Sequence, residues 1–256
     1  MSILPLSIFQ KSTPSLINKV EIVLHIFSYM ELKTLIACEG VCQEWRQLVP
    51  LADLHHDRRR LLELYHDVIG NEQSLLSANP QTSTFDRQAY IDQLLQQYPR
   101  VPDGFKLWIL EWPSRAVIDG LWPSFPLEEA KYIEFNRRIG VNWIALNPPQ
   151  ILTLVNSPDF ESQEYEVVPA ILAYRYHSMI TWIVFDDRPE LFGRVYTLYE
   201  HMDFIDADME DAPELATIQT DWISYISFIW RHLGPSWYSG NVDRDYRPPN
   251  RSIPQA

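Results

Sequence analysis

Apolar residues in the first seventy positions recur every three or four residues, which is the spacing of amphipathic helices. Asn18 is a suitable helix N-cap, and Gly40 and Pro50 interrupt the apolar pattern further along. The spacing predicts three short helices and a longer fourth one, over residues 19–30, 31–38, 41–49 and 53–69. Helices this short are marginal alone, so we expect them to pack on a partner or on the rest of the chain.

The pattern changes character after residue 85. Helical spacing continues over 85–98 and 127–139, and residues 103–112 are predicted to form another short helix or a turn. Runs of β-branched and aromatic residues then predict consecutive strands: 167–174, 179–185 and 193–199. A last apolar stripe over 213–233 predicts a long amphipathic helix. This order predicts the α+β class, with an antiparallel sheet backed by the C-terminal helix.

A polar stretch at 70–84, rich in turn-forming residues, separates the two patterns. We place a domain boundary there. The predicted organisation is a helical domain over 1–70, an α+β domain over 85–233 and a loose, proline-rich tail over 234–256.

Composition limits the classes of partner. The chain is 46% hydrophobic and 21% charged, which favours a folded core over disorder. A formal net charge of −13 disfavours nucleic acid and anionic membrane surfaces as partners. No apolar run is long enough to span a bilayer, and the N-terminus lacks the features of a signal peptide. Two cysteines, Cys38 and Cys42, favour reduced thiols and a cytoplasmic or nuclear location.

The negative charge is concentrated in the second segment. Residues 1–70 have a net charge of −1, and eight acids lie between Arg194 and Arg231 with no lysine or arginine among them. The stretch begins like a calcium loop but lacks its glycine and its final glutamate, which excludes an EF-hand. A solvated loop, a weak cation site and a docking face for a basic partner stay open. The docking residues would be Asp203, Asp206, Asp208, Glu210 and Asp211.

Residues 16–49 carry a recognisable pattern: Ile22-x3-Ile26-Phe27-x-Tyr29-Met30-x-Leu32-x2-Leu35-x5-Val41-Cys42-x2-Trp45-Arg46. This pattern resembles an F-box, a trio of helices that docks on the Skp-type adaptor of a cullin–RING ubiquitin ligase. The sequence departs from the family at Ile17-Asn18, where the family usually has Leu-Pro.

The resemblance implies an adaptor-binding surface. It would consist of five apolar residues: Ile17, Ile22, Ile26, Leu32 and Leu35. The alternative is that the same residues form an intramolecular core. Trp45 is expected inside the trio rather than at the contact.

The second segment offers a weaker resemblance. The resemblance rests on three runs of residues: Trp182-Ile-Val-Phe, Gly193-Arg-Val-Tyr and Trp222-Ile-Ser-Tyr-Ile-Ser-Phe-Ile. This order is similar to that of the SUKH superfamily, binding modules that include fungal cell-wall synthesis regulators and bacterial immunity proteins. An F-box joined to such a domain is similar in layout to a fungal group.

Motifs for catalysis, phosphate binding or metal ligation are not found, so we expect no catalytic residues, no metal and no cofactor. Arg58, Arg59 and Arg60 are interpreted as the solvated face of the fourth helix. Four tryptophans are interpreted as core residues rather than as the walls of a ligand groove: Trp108, Trp112, Trp122 and Trp143.

Three functions compete. The leading hypothesis is a substrate receptor of a cullin–RING (SCF-type) ubiquitin ligase, not itself an enzyme, that binds a Skp-type adaptor and a target protein. The second is a non-ligase interaction module whose N-terminal helices pack on its own SUKH-like domain. The third is a hydrolase that uses the acids of residues 200–221, which would need converging carboxylates in a pocket.

Overall fold

The computed structural model describes residues 14–70, 85–114, 116–118, 121–123, 141–156, 166–176, 179–199 and 217–237. The expected helix at 127–139 and most of the expected boundary at 70–84 lie outside these residues. The domain boundary therefore stays a prediction.

The four predicted N-terminal helices are present. They are α1 (Pro14–Ser28), α2 (Leu32–Glu39), α3 (Gln43–Leu48) and α4 (His56–Ile69). A 3-10 turn over Val49–Leu51 follows α3, because Pro50 cannot continue the helix as a hydrogen-bond donor. The start of α3 is capped by Cys42, whose Sγ accepts the Trp45 N–H at 3.5 Å.

Two more helices follow at the predicted places, α5 (Arg87–Gln97) and α6 (Asp103–Glu111). Asp86 caps α5 by accepting the Ala89 N–H at 2.9 Å. Arg87 holds the end of α6, because its Nη1 donates to the carbonyl oxygens of Ile109, Leu110 and Trp112.

The described strands form one antiparallel sheet. They are β1 (Val141–Asn142), β2 (Leu152–Asn156), β3 (Glu166–Tyr176), β4 (Met179–Val184), β5 (Val195–Tyr199) and β6 (Thr217–Gln219). The order is β1-β3-β4-β5-β6, with β2 also paired to β3. The predicted meander of three strands is confirmed as β3–β4–β5, and its register shifts between Leu172 and Tyr174.

The last helix is later than predicted. Residues 217–219 form strand β6 on β5, and α7 runs from Trp222 to Trp237. The predicted helix start near Pro213 is therefore wrong for these residues. The reason is local, because Asp221 caps α7 by accepting the Ser224 N–H at 2.8 Å. The helix also enters the segment that was expected to be a loose tail from residue 234.

The helix α7 backs the sheet, as predicted. Residues Ile171, Ile183 and Val195 share one buried cluster with Ile226 of α7. The hydroxyl of Tyr225 lies 3.3 Å from Thr181 Oγ1, which in turn lies 3.2 Å from Thr197 Oγ1. A mixed α+β fold, with short N-terminal helices and a sheet backed by a C-terminal helix, is thus confirmed.

The N-terminal helices share this core. The buried cluster that holds Ile226 also contains Leu35 of α2 and Leu61 of α4. Tyr65 of α4 meets Trp112 edge to face, with ring centroids 6.2 Å apart. The two segments therefore bury apolar surface against each other, which the short helices need for stability.

The connection from β4 to β5 depends on one glycine. Gly193 has φ +80°, and a Cβ there would lie 3.3 Å from Pro102 Cβ. We predict that Gly193→Ala lowers the free energy of unfolding by about 1–2 kcal/mol, because L residues are strained in this region. Gly40→Ala is the control for glycine replacement, since Gly40 has φ −81°. Urea unfolding of both variants measures the difference, and equal stabilities would contradict the prediction.

Candidate functional site

One face of α1 and the turn after it is apolar and uncovered. Ile22, Ile26 and Tyr29 are 59%, 48% and 76% exposed. Ile22 and Ile26 are four positions apart and so lie on the same side of α1. Tyr29, in the turn after the helix, packs on His25 of α1, and the three exposed side chains form one stripe. We call this stripe the α1 face.

The opposite side of α1 is buried. Phe27 is 1% exposed and meets Trp45 edge to face, with ring centroids 5.5 Å apart. Val23 and Leu24 also pack against the core. The packing of Trp45 inside the helical trio is as predicted. Since α1 already contributes one apolar side to the core, the α1 face is additional apolar surface that the fold does not bury.

The five residues expected at the adaptor surface separate into two groups. Ile22 and Ile26 lie on the α1 face, and Ile17 lies in the same helix. Leu32 and Leu35, by contrast, are both 0% exposed. Their side chains hold α2 in the core, so in this conformation they offer no surface to a partner. Their contact with an adaptor stays a prediction.

A buried carboxylate fixes α2. Glu111, at the end of α6, is only 6% exposed. Its Oε2 accepts the Leu32 N–H at 2.7 Å. Arg58 of α4 binds the same carboxylate with two hydrogen bonds, Nε to Oε2 at 2.9 Å and Nη2 to Oε1 at 2.6 Å. We call the three groups the Glu111 clamp.

The Glu111 clamp provides what α2 lacks locally. The N-cap residue Glu31 makes no side-chain capping hydrogen bond. Glu111 accepts the first N–H of the helix instead and places negative charge at the positive end of the helix dipole. Hydrogen bonding to Glu111 raises the pKa of Arg58 against the opposing effect of burial.

A second ion pair joins α4 to α7. Arg60 donates from Nη1 and Nη2 to the two carboxylate oxygens of Asp221, both at 2.9 Å. Its Nη2 also donates to Ser224 Oγ at 2.7 Å. Arg59 binds the carbonyl oxygens of Pro50 and Ala52. The three arginines are therefore tethers between elements, and their interpretation as a solvated face is wrong.

The remaining candidate residues are the acids of residues 200–221 and the four tryptophans. The five proposed docking acids, Asp203 to Asp211, lie outside the described residues. Asp221, the last of the eight acids, caps α7 and binds Arg60. Trp108, Trp112 and Trp122 are core residues as interpreted, with exposures of 2% or less, and Trp143 is partly buried.

Within the described ranges, no group of three or more His, Cys, Asp or Glu residues could hold a metal ion. None of the described helices has the length and apolar character needed to cross a membrane.

A family model described as F-box-like matches residues 20–58. The matched range runs from α1 to Arg58 of the Glu111 clamp, and it contains the whole α1 face. The chain thus carries an F-box-like segment. Searches of curated proteins and of solved structures found no match.

The sequence indicated the α1 face but not the tethers. Helical spacing and the F-box pattern both mark Ile22 and Ile26. Nothing local marks Glu111, because its partners Leu32 and Arg58 are 79 and 53 residues away.

The Arg60–Asp221 pair makes stability depend on pH. Burial of Asp221 opposes its ionisation, but hydrogen bonds from Arg60 and the Ser224 N–H outweigh this and lower its pKa below 3.8. A lowered native pKa stabilises the fold above the unfolded pKa and loses this effect as the pH falls through the native pKa. We predict that Asp221→Asn, which cannot titrate, lowers stability at neutral pH and flattens its decline below pH 3.8. Urea unfolding from pH 7 to pH 2 measures this, and parallel curves for both proteins would contradict it.

Proposed function

We propose that this protein is a substrate receptor of an SCF-type cullin–RING ubiquitin ligase. In this proposal the F-box-like segment binds a Skp-type adaptor. Residues 85–233, which we call the C-terminal segment, bind a target protein. The observation that carries the proposal is the uncovered α1 face inside the range that matches the F-box-like family.

The α1 face has the chemistry of a protein contact. It presents two isoleucines and one tyrosine, and aromatic residues are enriched among those that dominate binding energy. Tyr29 lies against His25 edge to face, with ring centroids 5.1 Å apart, so its ring is partly ordered before any partner arrives. The F-box resemblance adds Ile17 of the same helix to the proposed contact. Leu32 and Leu35 act indirectly, by fixing α2 beside it.

The C-terminal segment is the proposed target-binding part. Its resemblance to the SUKH superfamily of binding modules, in a fungal type of layout, supports this role. The acids from Asp203 to Asp211 would attract a basic target and speed its association. The receptor itself needs no chemistry, since it acts by holding a target lysine near the charged ubiquitin-conjugating enzyme of the ligase.

A cytoplasmic or nuclear location is part of the proposal. Cys38 and Cys42 are both free thiols, and the Cys38 Sγ lies 3.7 Å from the Met30 sulfur in the core. Unpaired cysteines at close spacing are typical of reducing compartments.

The second candidate is an interaction module outside any ligase. It is favoured by the packing of α2 and α4 on α6 and α7 through the Glu111 clamp and Arg60. Such packing is what an intramolecular role of these helices would produce. The two candidates differ in one respect, which is whether the α1 face binds a Skp-type adaptor.

Adaptor binding by the purified full chain separates the candidates. We predict that the wild type binds a Skp-type adaptor and that Ile22→Lys with Ile26→Lys weakens binding by about tenfold or more, because a charged stripe cannot be desolvated. The matched control is Val167→Lys, since Val167 is also apolar and 61% exposed but lies in β3. Isothermal titration calorimetry measures the affinities, and circular dichroism verifies that each variant folds.

Two outcomes would contradict the proposal. A wild type that does not bind would leave the non-ligase module as the function. Equal losses in the double variant and in Val167→Lys would show that binding does not use the α1 face.

A further inference from the structure

The turn between α1 and α2 is held from a distant part of the chain. The Tyr29 and Met30 N–H groups donate back to the carbonyl oxygens of Ile26 and Phe27, at 3.2 and 3.1 Å. The first N–H of α2, that of Leu32, donates to the Glu111 carboxylate. The end of α1 is thus hydrogen-bonded to the turn that follows it, while the start of α2 is hydrogen-bonded to α6.

We propose that Glu111 is a positioning residue for the α1 face. Its carboxylate fixes the Leu32 N–H and so sets where the α1–α2 turn, and Tyr29 within it, lies. Adaptor binding would then depend on the C-terminal segment, although that segment is not the adaptor contact. This inference rests on the proposed function.

Three features of Glu111 support this role. First, it is buried, so the bond to Leu32 competes with little water. Second, Arg58 donates a hydrogen bond to each carboxylate oxygen and so fixes the position of the Oε2 atom. Third, Leu32 is fully buried, so the residue that carries the bonded N–H cannot shift without moving its side chain in the core.

The Arg60–Asp221 pair provides the contrast. It too is a two-bond pair between an arginine of α4 and a carboxylate of the C-terminal segment. The Asp221 carboxylate, however, caps its own helix through the Ser224 N–H rather than α2. Loss of the Asp221 pair should loosen α4 against α7 and leave the α1–α2 turn in place.

Paired variants isolate the hydrogen bond from the ion pair. In both, Arg58→Met removes the buried cation, so no unpaired charge is left. The first, called the Gln variant, also carries Glu111→Gln, whose amide oxygen can still accept the Leu32 N–H. The second, called the Met variant, also carries Glu111→Met, which is similar in size but has no such acceptor. Asp221→Asn serves as the control for a lost ion pair elsewhere on α4.

The measurements are adaptor affinity by calorimetry and amide exchange at Leu32 by NMR, under conditions where each variant is folded. We expect Asp221→Asn to bind within about twofold of the wild type. Both paired variants lack Arg58, so they are compared with each other. The Met variant should bind about fivefold to tenfold more weakly than the Gln variant, the effect of one lost hydrogen bond. Its Leu32 amide should also exchange about tenfold faster than in the Gln variant.

The outcomes keep the inference apart from the proposed function. If the wild type binds and the Gln and Met variants bind equally, Glu111 does not position the α1 face and only the inference is overturned. If Asp221→Asn weakens binding as much as the Met variant does, the effect is general loosening and the inference is again overturned. A wild type that does not bind overturns both the function and the inference.

Discussion

A buried glutamate cannot stay charged without partners, and the Glu111 clamp shows how this chain meets that requirement. The carboxylate of Glu111 takes one hydrogen bond from the Leu32 N–H and two from Arg58, so each of its oxygens is satisfied. These partners belong to α2 and α4, and Glu111 to α6. Because breaking any one bond would leave a buried polar group unpaired, the three helices keep a fixed arrangement. The short N-terminal helices obtain from it the support that their length cannot supply.

The exposed α1 face follows from this arrangement. With α2 and α4 packed against α6 and α7, the core is already filled by Phe27, Leu32 and Leu35. Ile22 and Ile26 are then left on the outside, in a segment that matches the F-box-like family. The Glu111 clamp and the Arg60–Asp221 pair hold α2 and α4, and Ile22 and Ile26 are exposed beside them.

Periodicity predicted most of the elements but not their partners. Helices α1 to α6 were predicted because their apolar spacing repeats over several residues. Strands β3 to β5 were predicted because each is a run of β-branched and aromatic residues. Strand β1 is too short to show a period, while Thr217 to Gln219 were absorbed into a predicted helix because a few residues fit either pattern. The tethers were missed for another reason. Arg60 and Asp221 are 161 residues apart, and Arg58 to Arg60 look like any charged helix face until the fold brings carboxylates to them. The burial of Leu32 and Leu35 was not predicted, because spacing alone cannot tell a core side from a contact side.

We propose that the α1 face is open in the free protein and covered by a Skp-type adaptor in the complex. Hydrogen–deuterium exchange of the full chain, with and without the adaptor, measures this coverage. We expect slower exchange over residues 19–30 in the complex, with α4 and α6 protected equally in both states because the Glu111 clamp is already formed. Unchanged exchange in α1, or new protection confined to the sheet, would contradict it.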